Sequence, residues 1–262
     1  MVSEKQLPCI WITRPKGQAE NLIEEVNQSD LKAIHFPVIK IQAVESTSEL
    51  QDRFNKIDIY DYLIFISRNA VECSFNDFIN LDNISSKTKL IAIGNATAHA
   101  IQNYNLSPIE YEGESFDSET LLTLPTLQKQ NVFGKRVLLI RGKGGRELLY
   151  NELNQRGALV DLAEVYSREN PDFDNQYLIN LWQDNKPDAI IVTSNESIDN
   201  LISLTPLEHK ATLYQVPLIV MSERNLAHAR TCGFSNDIQV ALKTSDNGLM
   251  QALIRLLEKS QT

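Results

Sequence analysis

The sequence repeats itself at a spacing of about 127 residues, and this repeat constrains the fold more than any other feature. Arg14 and Arg141 stand at equivalent places in the two copies. Three pairs of segments match in the same order: 12–28 with 139–155, 61–71 with 188–198, and 90–100 with 218–229. Ordered matches at one spacing indicate a duplication, so the chain is predicted to build one structural plan twice.

Each copy alternates short apolar runs with amphipathic segments, which predicts strands and helices in alternation. The predicted strands are 8–13, 62–66, 89–93, 136–140, 188–193 and 217–221. The predicted helices are 16–28, 69–79, 96–104, 146–156, 196–203, 223–231 and 247–258. Uniformly apolar strands between helices are typical of parallel sheets covered on both faces. We therefore predict two doubly wound parallel α/β units, with ligands bound beyond the carboxyl ends of the strands.

Charge and composition exclude several classes of protein. The net charge is −9, which argues against a general nucleic-acid-binding protein because phosphate neutralisation needs surplus Lys and Arg. No apolar run approaches the ~18 residues of a membrane span, and residues 1–11 do not resemble a secretory signal. The three cysteines lie far apart, and the four histidines form no zinc-protease pattern. We expect a soluble, cytoplasmic protein that uses neither a metal nor a cofactor and does not bind membranes.

Two extended segments interrupt the alternation at equivalent places, 37–41 and 164–168. If they pair with each other between two lobes, they form a two-stranded hinge across a cleft. If each pairs only within its own copy, they are ordinary edge strands. The residues alone leave both alternatives open.

The turns that follow the strands carry the candidate binding residues. Between 135 and 146 there are five basic residues and no acidic one, with glycines that let backbone amides approach a ligand. This pattern indicates an anion-binding turn, although a solvated basic turn is the simpler alternative. For the serines and asparagines after other strands, helix capping is the more common role. The substrate-binding candidates are Arg14, Ser67, Asn69, Gly94, Thr97, Ser115, Arg141, Gly142, Lys143, Gly144, Arg146, Ser194, Asn195, Ser222 and Arg224.

The usual signatures of a strong protein nucleophile or a catalytic metal do not occur in the sequence. There is no Gly-x-Ser-x-Gly elbow and no evident Cys–His dyad. Two hypotheses remain open from the residues. The chain is either an enzyme that orients a reactive anionic substrate, or a non-catalytic two-lobed binding or regulatory module for an anionic ligand.

From about residue 8 to 258, the chain resembles the uroporphyrinogen-III synthase family. The resemblance rests on Thr13-Arg14-Pro15 and on the segments 65–71, 92–100, 115–122 and, most specifically, 137–168. Position 66 is Ile where the family often has Thr, and 222–229 lacks the Thr-Ala pair common in the family, which makes a ligand role for Asn225 or Leu226 doubtful.

This resemblance implies a fold of two α/β domains with a two-stranded hinge and an inter-domain cleft. The implied domains are 1–36 with 169–262, and 42–163, joined by 37–41 and 164–168. It also implies that Tyr166 is the general acid, with its phenol facing the cleft and not the core.

The implied reaction closes linear hydroxymethylbilane, a polyanionic tetrapyrrole, to uroporphyrinogen III with inversion of ring D. We further expect a monomer with transient contact to the enzyme that produces hydroxymethylbilane.

Overall fold

The computed structural model describes residues 7–111 and 118–259, so the candidate Ser115 lies outside the described residues. The chain forms two compact units. Unit 1 comprises the residues up to Lys40 together with those from Glu169 onward, and unit 2 comprises Ile41–Arg168. Unit 2 is thus continuous in sequence, and unit 1 is built from the two flanking segments.

Strands and helices alternate through most of the described chain. The strands are β1 (Cys9–Ile12), β2 (Lys32–His35), β3 (Lys40–Ala43), β4 (Tyr62–Phe65), β5 (Lys89–Ala92), β6 (Ile109–Glu110), β7 (Arg136–Gly142), β8 (Leu159–Glu169), β9 (Ala189–Val192), β10 (Leu218–Val220) and β11 (Ile238–Val240). The helices are α1 (Glu20–Gln28), α2 (Ser48–Asn55), α3 (Arg68–Asp77), α4 (Gly94–Gln102), α5 (Ser118–Leu121), α6 (Lys129–Val132), α7 (Leu148–Gln155), α8 (Asn175–Asp184), α9 (Asn195–Leu204), α10 (Lys210–Leu213), α11 (Glu223–Cys232) and α12 (Asp246–Lys259).

The two sheets share one strand order, which confirms the predicted duplication. The sheet of unit 1 has the order β2-β1-β9-β10-β11, and every pair is parallel. In unit 2 the order β8-β7-β4-β5-β6 is also parallel, with β3 added beside β8. Numbered along the chain, the sheet of unit 1 has the flavodoxin-like order 2-1-3-4-5. The sheet of unit 2 has the same spatial arrangement with the chain order circularly permuted, because β4, β5 and β6 precede β7 and β8 in the sequence.

Both faces of the unit 2 sheet are covered, as expected for buried parallel strands. Leu63 and Phe65 of β4 belong to a core cluster with residues of α2, α3 and α4. Tyr62 and Ile64, which point to the opposite face, pack with residues of α5 and α7. The fold is therefore the doubly wound α/β arrangement that the alternation predicts.

The sheet of unit 1 is built in the same way. Ile10 and Ile12 of β1 pack with buried residues of α1 and α12 on one face. On the other face, Trp11 contacts Trp182 of α8 edge to face, with ring centroids 4.8 Å apart. These apolar faces fix the strand register, because a shift by one residue would move every core side chain to the opposite face and disrupt the packing on both.

Of the segment 37–41, only the last two residues fall within a strand, β3, which lies beside β8 in the six-stranded sheet. β3 begins at Lys40 and not at residue 37, because Pro37 lacks an N–H for a strand ladder. The segment 164–168 is the end of the longer strand β8, which stays paired with β7 as far as Tyr166. The Val44 N–H donates to the Val165 carbonyl at 3.1 Å. The predicted domain bounds and the hinge role of these segments stay predictions.

None of the described helices combines the length and apolar character needed to cross a bilayer.

Candidate functional site

Ligands of doubly wound sheets bind beyond the carboxyl ends of the strands, where the strand order reverses. In unit 2 this point lies between β4 and β7, and in unit 1 it lies between β1 and β9. The turns that leave these strands hold most of the sequence-predicted site residues. The geometry of each turn decides whether its polar groups are available to a ligand.

The phenol of Tyr166 lies at the reversal point of unit 2. Its oxygen is 3.1 Å from Oγ of Ser67, the second residue after the end of β4. The Tyr166 carbonyl accepts a hydrogen bond of 2.7 Å from the N–H of Lys143. Arg168 approaches the phenol oxygen with Nη2 at 3.5 Å. The structure thus brings three sequence-predicted turn residues, Ser67, Lys143 and Tyr166, into direct contact.

The expectation that the Tyr166 side chain avoids the core is wrong. Tyr166 is 1% exposed and belongs to the same apolar cluster as Phe65 and Val165. Its ring fills the space that Gly142 leaves by lacking a side chain. A Cβ at Gly142 would lie 2.5 Å from Cζ of the ring, so residue 142 must be Gly for this packing.

Replacing Gly142 by Ala should therefore displace the Tyr166 ring and lower the free energy of unfolding by about 1–3 kcal/mol, as overpacking does. Urea unfolding measures this loss. Gly145→Ala is the control, because its nearest contact, the Arg141 side chain at 3.2 Å, is less severe than the 2.5 Å contact at Gly142, and the loss should be smaller. Equal stability of wild type and Gly142→Ala would contradict the described packing.

Arg141 is not available as a ligand contact, which corrects the sequence interpretation. Its side chain is only 4% exposed. Nη1 donates to the carbonyl oxygens of Gly145 and Arg146, both at 3.1 Å. Nη2 donates to Glu147 at 2.7 Å and to Glu164 at 3.1 Å. The guanidinium turns inward because the chain itself supplies these acceptors, and it holds the turn 142–147 in shape.

The other members of this basic turn face solvent. Lys143 and Gly144 are exposed, and Gly144 adopts a φ of +72°, which favours glycine. The Arg146 side chain is 63% exposed, with Nη1 at 3.4 Å from a carboxylate oxygen of Glu119. An ion pair this exposed is weak, so Arg146 can exchange it for a ligand carboxylate.

Three of the candidate serines cap helices, the role that their sequence positions favour. Oγ of Ser67, Ser194 and Ser222 accepts from the backbone N–H three residues later, at 3.0, 3.0 and 3.3 Å. These caps begin α3, α9 and α11. Each cap leaves other N–H groups in its first turn for a ligand.

The asparagines of unit 1 connect two of these helix starts. Nδ2 of Asn225 donates to Oδ1 of Asn195 at 2.7 Å, and the Ser222 hydroxyl donates to Oδ1 of Asn225 at 2.8 Å. Asn225 is buried, which fits the doubtful ligand role that the sequence indicated. Arg224 is exposed in the same first turn, and Asn69 is partly buried at the start of α3.

Helix α4 begins without a side-chain cap. The preceding residue is Ile93, and Gly94 starts the helix with a φ of +70°. Gly94 and Thr97 are buried. An uncapped helix start presents backbone N–H groups and a positive field, which suit a carboxylate.

At the equivalent turn of unit 1, Arg14 follows β1. Its Nη1 lies 2.5 Å from a carboxylate oxygen of Asp246 at the start of α12. The side chains of Arg14 and Asp246 are 15% and 27% exposed, so this ion pair is largely shielded from solvent. The structure therefore places the Arg14 charge beside an acidic partner of its own chain.

Sequence reasoning missed the residues that hold these arginines. Glu147, Glu164 and Asp246 were not among the candidates, although Glu147 is only six positions from Arg141. Arg168, next to the Tyr166 phenol, was also missed. Within the described residues, one group of side chains could hold a metal ion, and it lies on α9 and α11.

Fold and turns together define a class of protein: a duplicated doubly wound α/β chain with glycine and serine turns suited to an anionic ligand at its strand ends. The profile of the family described as Uroporphyrinogen-III synthase HemD matches residues 20–250. The chain belongs to this uroporphyrinogen-III synthase family.

Individual relatives agree with the profile. The chain is 33% identical to the uroporphyrinogen-III synthase of Escherichia coli over 246 residues, which cover 93% of this chain and 99% of the relative. Identity to the uroporphyrinogen-III synthase of Salmonella typhimurium is 36% over 248 residues, with the same coverage of 93% and 99%.

Solved structures show the same fold. The uroporphyrinogen-III synthetase of Helicobacter pylori superposes with a TM-score of 0.62 at 14% identity, covering 95% of this chain and 100% of that one. A mutant uroporphyrinogen III synthase of Thermus thermophilus gives a TM-score of 0.59 at 16% identity, with coverage of 95% and 98%.

Proposed function

We propose that this protein closes hydroxymethylbilane to uroporphyrinogen III, with inversion of ring D and loss of water, in tetrapyrrole and haem biosynthesis. The observation that carries the proposal is the family match along nearly the whole of the chain. The strand-end turns of both units support it, because they suit a substrate with many carboxylates.

The chemistry needs little covalent help from the protein. Loss of the ring A hydroxyl leaves an electrophilic azafulvene. The substituted carbon of ring D attacks its methylene to give a spiro intermediate. That intermediate fragments at the original ring C–ring D bridge and closes again through the free carbon of ring D, which then loses a proton. Since the substrate supplies both nucleophile and leaving group, holding rings A and D together is the main task of the protein.

Tyr166 and Ser67 are proposed to assist loss of the hydroxyl as a pair. A hydroxyl group offers one donor and two acceptor sites. Ser67 accepts from the Ala70 N–H, and in this proposal it also accepts from the Tyr166 phenol. Its own hydrogen then remains to be donated outward to the departing oxygen. Ser67 is partly exposed, so a buried Tyr166 can polarise the leaving group through it.

The substrate carries an acetate and a propionate on each of its four pyrroles. In unit 2, the proposed carboxylate contacts are Lys143, Arg146, Gly142, Gly144, and the α4 start with Gly94 and Thr97. Asn69 at the start of α3 joins them. The Gly144 N–H donates to Glu164 at 3.3 Å and would exchange this bond for a substrate carboxylate. In unit 1, the proposed contacts are Arg14, Ser194, Asn195, Ser222 and Arg224.

Replacing Arg146 by Ala tests the binding role of the basic turn. We expect KM to rise roughly fivefold at low salt, equivalent to about 1 kcal/mol, with kcat little changed. The rise should shrink at high salt, where screening already weakens the attraction. Steady-state kinetics at two ionic strengths measure both effects. An unchanged KM at both would mean that Arg146 is only a solvated charge.

Incubation with freshly prepared hydroxymethylbilane tests the proposed activity. Chromatographic separation of the uroporphyrin isomers after oxidation should show isomer III as the main product. Closure without ring inversion yields the isomer I that forms in the absence of protein. An isomer mixture identical to that of the protein-free control would overturn the proposal and leave a binding module.

The setting of the reaction is also a proposal. Hydroxymethylbilane loses its hydroxyl without help, so rapid transfer of this substrate to the present protein is favourable. We therefore propose transient contact with the enzyme that produces hydroxymethylbilane. A cytoplasmic location agrees with three free cysteines. We also propose that the protein is a monomer.

A further inference from the structure

Helices α9 and α11 bring three potential metal ligands together on unit 1. His228 and Cys232 stand four residues apart on α11, and therefore on one helix face. Asp199 of α9 lies opposite them. Nε2 of His228 is 2.7 Å from Oδ1 of Asp199 and 3.6 Å from Sγ of Cys232. Sγ is 3.8 Å from the same Asp199 oxygen.

These distances can be compared with those of a tetrahedral zinc site. Zinc bonds of about 2.3 Å to sulfur and about 2.0 Å to nitrogen or oxygen, at the tetrahedral angle, separate sulfur from either lighter atom by about 3.5 Å and nitrogen from oxygen by about 3.3 Å. The two sulfur distances match within about 0.3 Å. The His228–Asp199 contact must open by about 0.6 Å, which a carboxylate rotation on the exposed Asp199 can provide.

We propose that Asp199, His228 and Cys232 bind one divalent transition-metal ion of the zinc class. A water molecule completes the fourth position, since each side chain supplies one ligand atom. Thiolate and imidazole are ligands that zinc prefers and magnesium does not. The site lies on a helix pair outside the strand-end turns and is independent of the proposed reaction.

A catalytic Cys–His–Asp triad is the competing interpretation of the same three side chains. In such a triad one ring nitrogen of the histidine faces the nucleophile and the other faces the carboxylate. Here the same nitrogen, Nε2 of His228, faces both Asp199 and Cys232. The competing interpretation is therefore the weaker one.

Metal binding would tie α9 to α11. These helices start at Ser194 and Ser222, and Asn195 and Asn225 already link their first turns. A metal bridge further along both helices adds a second link on the same pair. Because an ion that binds only the folded chain stabilises it, the expected consequence is a higher melting temperature of the protein.

Titration of the purified full chain with Co²⁺, as a coloured substitute for Zn²⁺, tests the proposal. One equivalent should produce sulfur-to-cobalt charge-transfer absorption and the intense visible bands of tetrahedral cobalt. Cys232→Ser should abolish the charge-transfer band, and His228→Ala should weaken binding by at least roughly tenfold. Cys73→Ser is the matched control, because Cys73 is equally half-buried but lies on α3, and it should leave the spectrum unchanged.

A second measurement is independent of cobalt. Zn²⁺ at about a hundred times its Kd should raise the Tm of wild type by about 5 °C and that of Cys232→Ser much less, while Mg²⁺ should have no effect. Charge-transfer absorption that survives in Cys232→Ser, or absence of stoichiometric binding by folded wild type, would overturn the proposal.

Discussion

Replacement of Tyr166 by Phe is expected to slow formation of uroporphyrinogen III by roughly 10²- to 10⁴-fold, the usual contribution of general acid–base assistance. Some activity should remain, because the substrate loses its hydroxyl without help. The melting temperature should change little, since the ring that packs on Gly142 is kept. Single-turnover kinetics and thermal unfolding measure the two quantities.

A double-mutant cycle separates the pair mechanism from independent contributions. If Tyr166 acts through Ser67, the variant with both Tyr166→Phe and Ser67→Ala should be no slower than the slower single variant. Thr47→Ala is the control for the lost helix cap, because Thr47 caps α2 by accepting from Leu50 N–H at 3.2 Å. It should lose about 1 kcal/mol of stability with unchanged activity. Full activity of Tyr166→Phe would exclude a contribution of Tyr166 to loss of the hydroxyl.

Arg141→Ala is expected to lower the free energy of unfolding by about 3 kcal/mol. Truncation leaves two turn carbonyls without their donor and removes the ion pairs with Glu147 and Glu164, of which Glu164 keeps the Gly144 N–H at 3.3 Å. Glu147 and Glu164 are partly exposed, at 54% and 33%, so water compensates a share of the loss. Guanidinium chloride unfolding measures the change.

The neighbouring arginine provides the control for this result. Arg146→Ala should stay within about 0.5 kcal/mol of wild type, because its side chain is exposed. The two variants should therefore differ: Arg141→Ala should lower the free energy of unfolding, and Arg146→Ala should raise KM. A raised KM with wild-type stability in Arg141→Ala would instead support the ligand role that the sequence indicated.

The parts of the fold that could be predicted are those with a strong apolar signal. The strands β1, β4 and β9 are buried at every position, so their apolar runs mark them. Strand β2, with the sequence KAIH, is partly exposed and carries no such run, which is why it was missed. The short strand β11 was missed for the same reason, since Gln239 interrupts it.

The site was predictable only where its chemistry is local. A serine directly after a buried strand is a local signal, and Ser67, Ser194 and Ser222 do cap the helices that follow. The inward turn of Arg141 depends on Glu164, which is 23 residues away and reaches it only through strand pairing. His228 and Cys232 show helix spacing, but Asp199 joins them only once α9 packs on α11.

The central claim, inversion of ring D by this protein, can be tested directly by NMR on labelled substrate. Hydroxymethylbilane would carry ¹³C in the bridging methylene between rings C and D and in the ring D carbon bonded to it. The spiro route breaks that bond, so we predict that the one-bond ¹³C–¹³C coupling disappears from the product in the presence of the protein. Retention of the coupling at the level of the protein-free reaction would contradict the account.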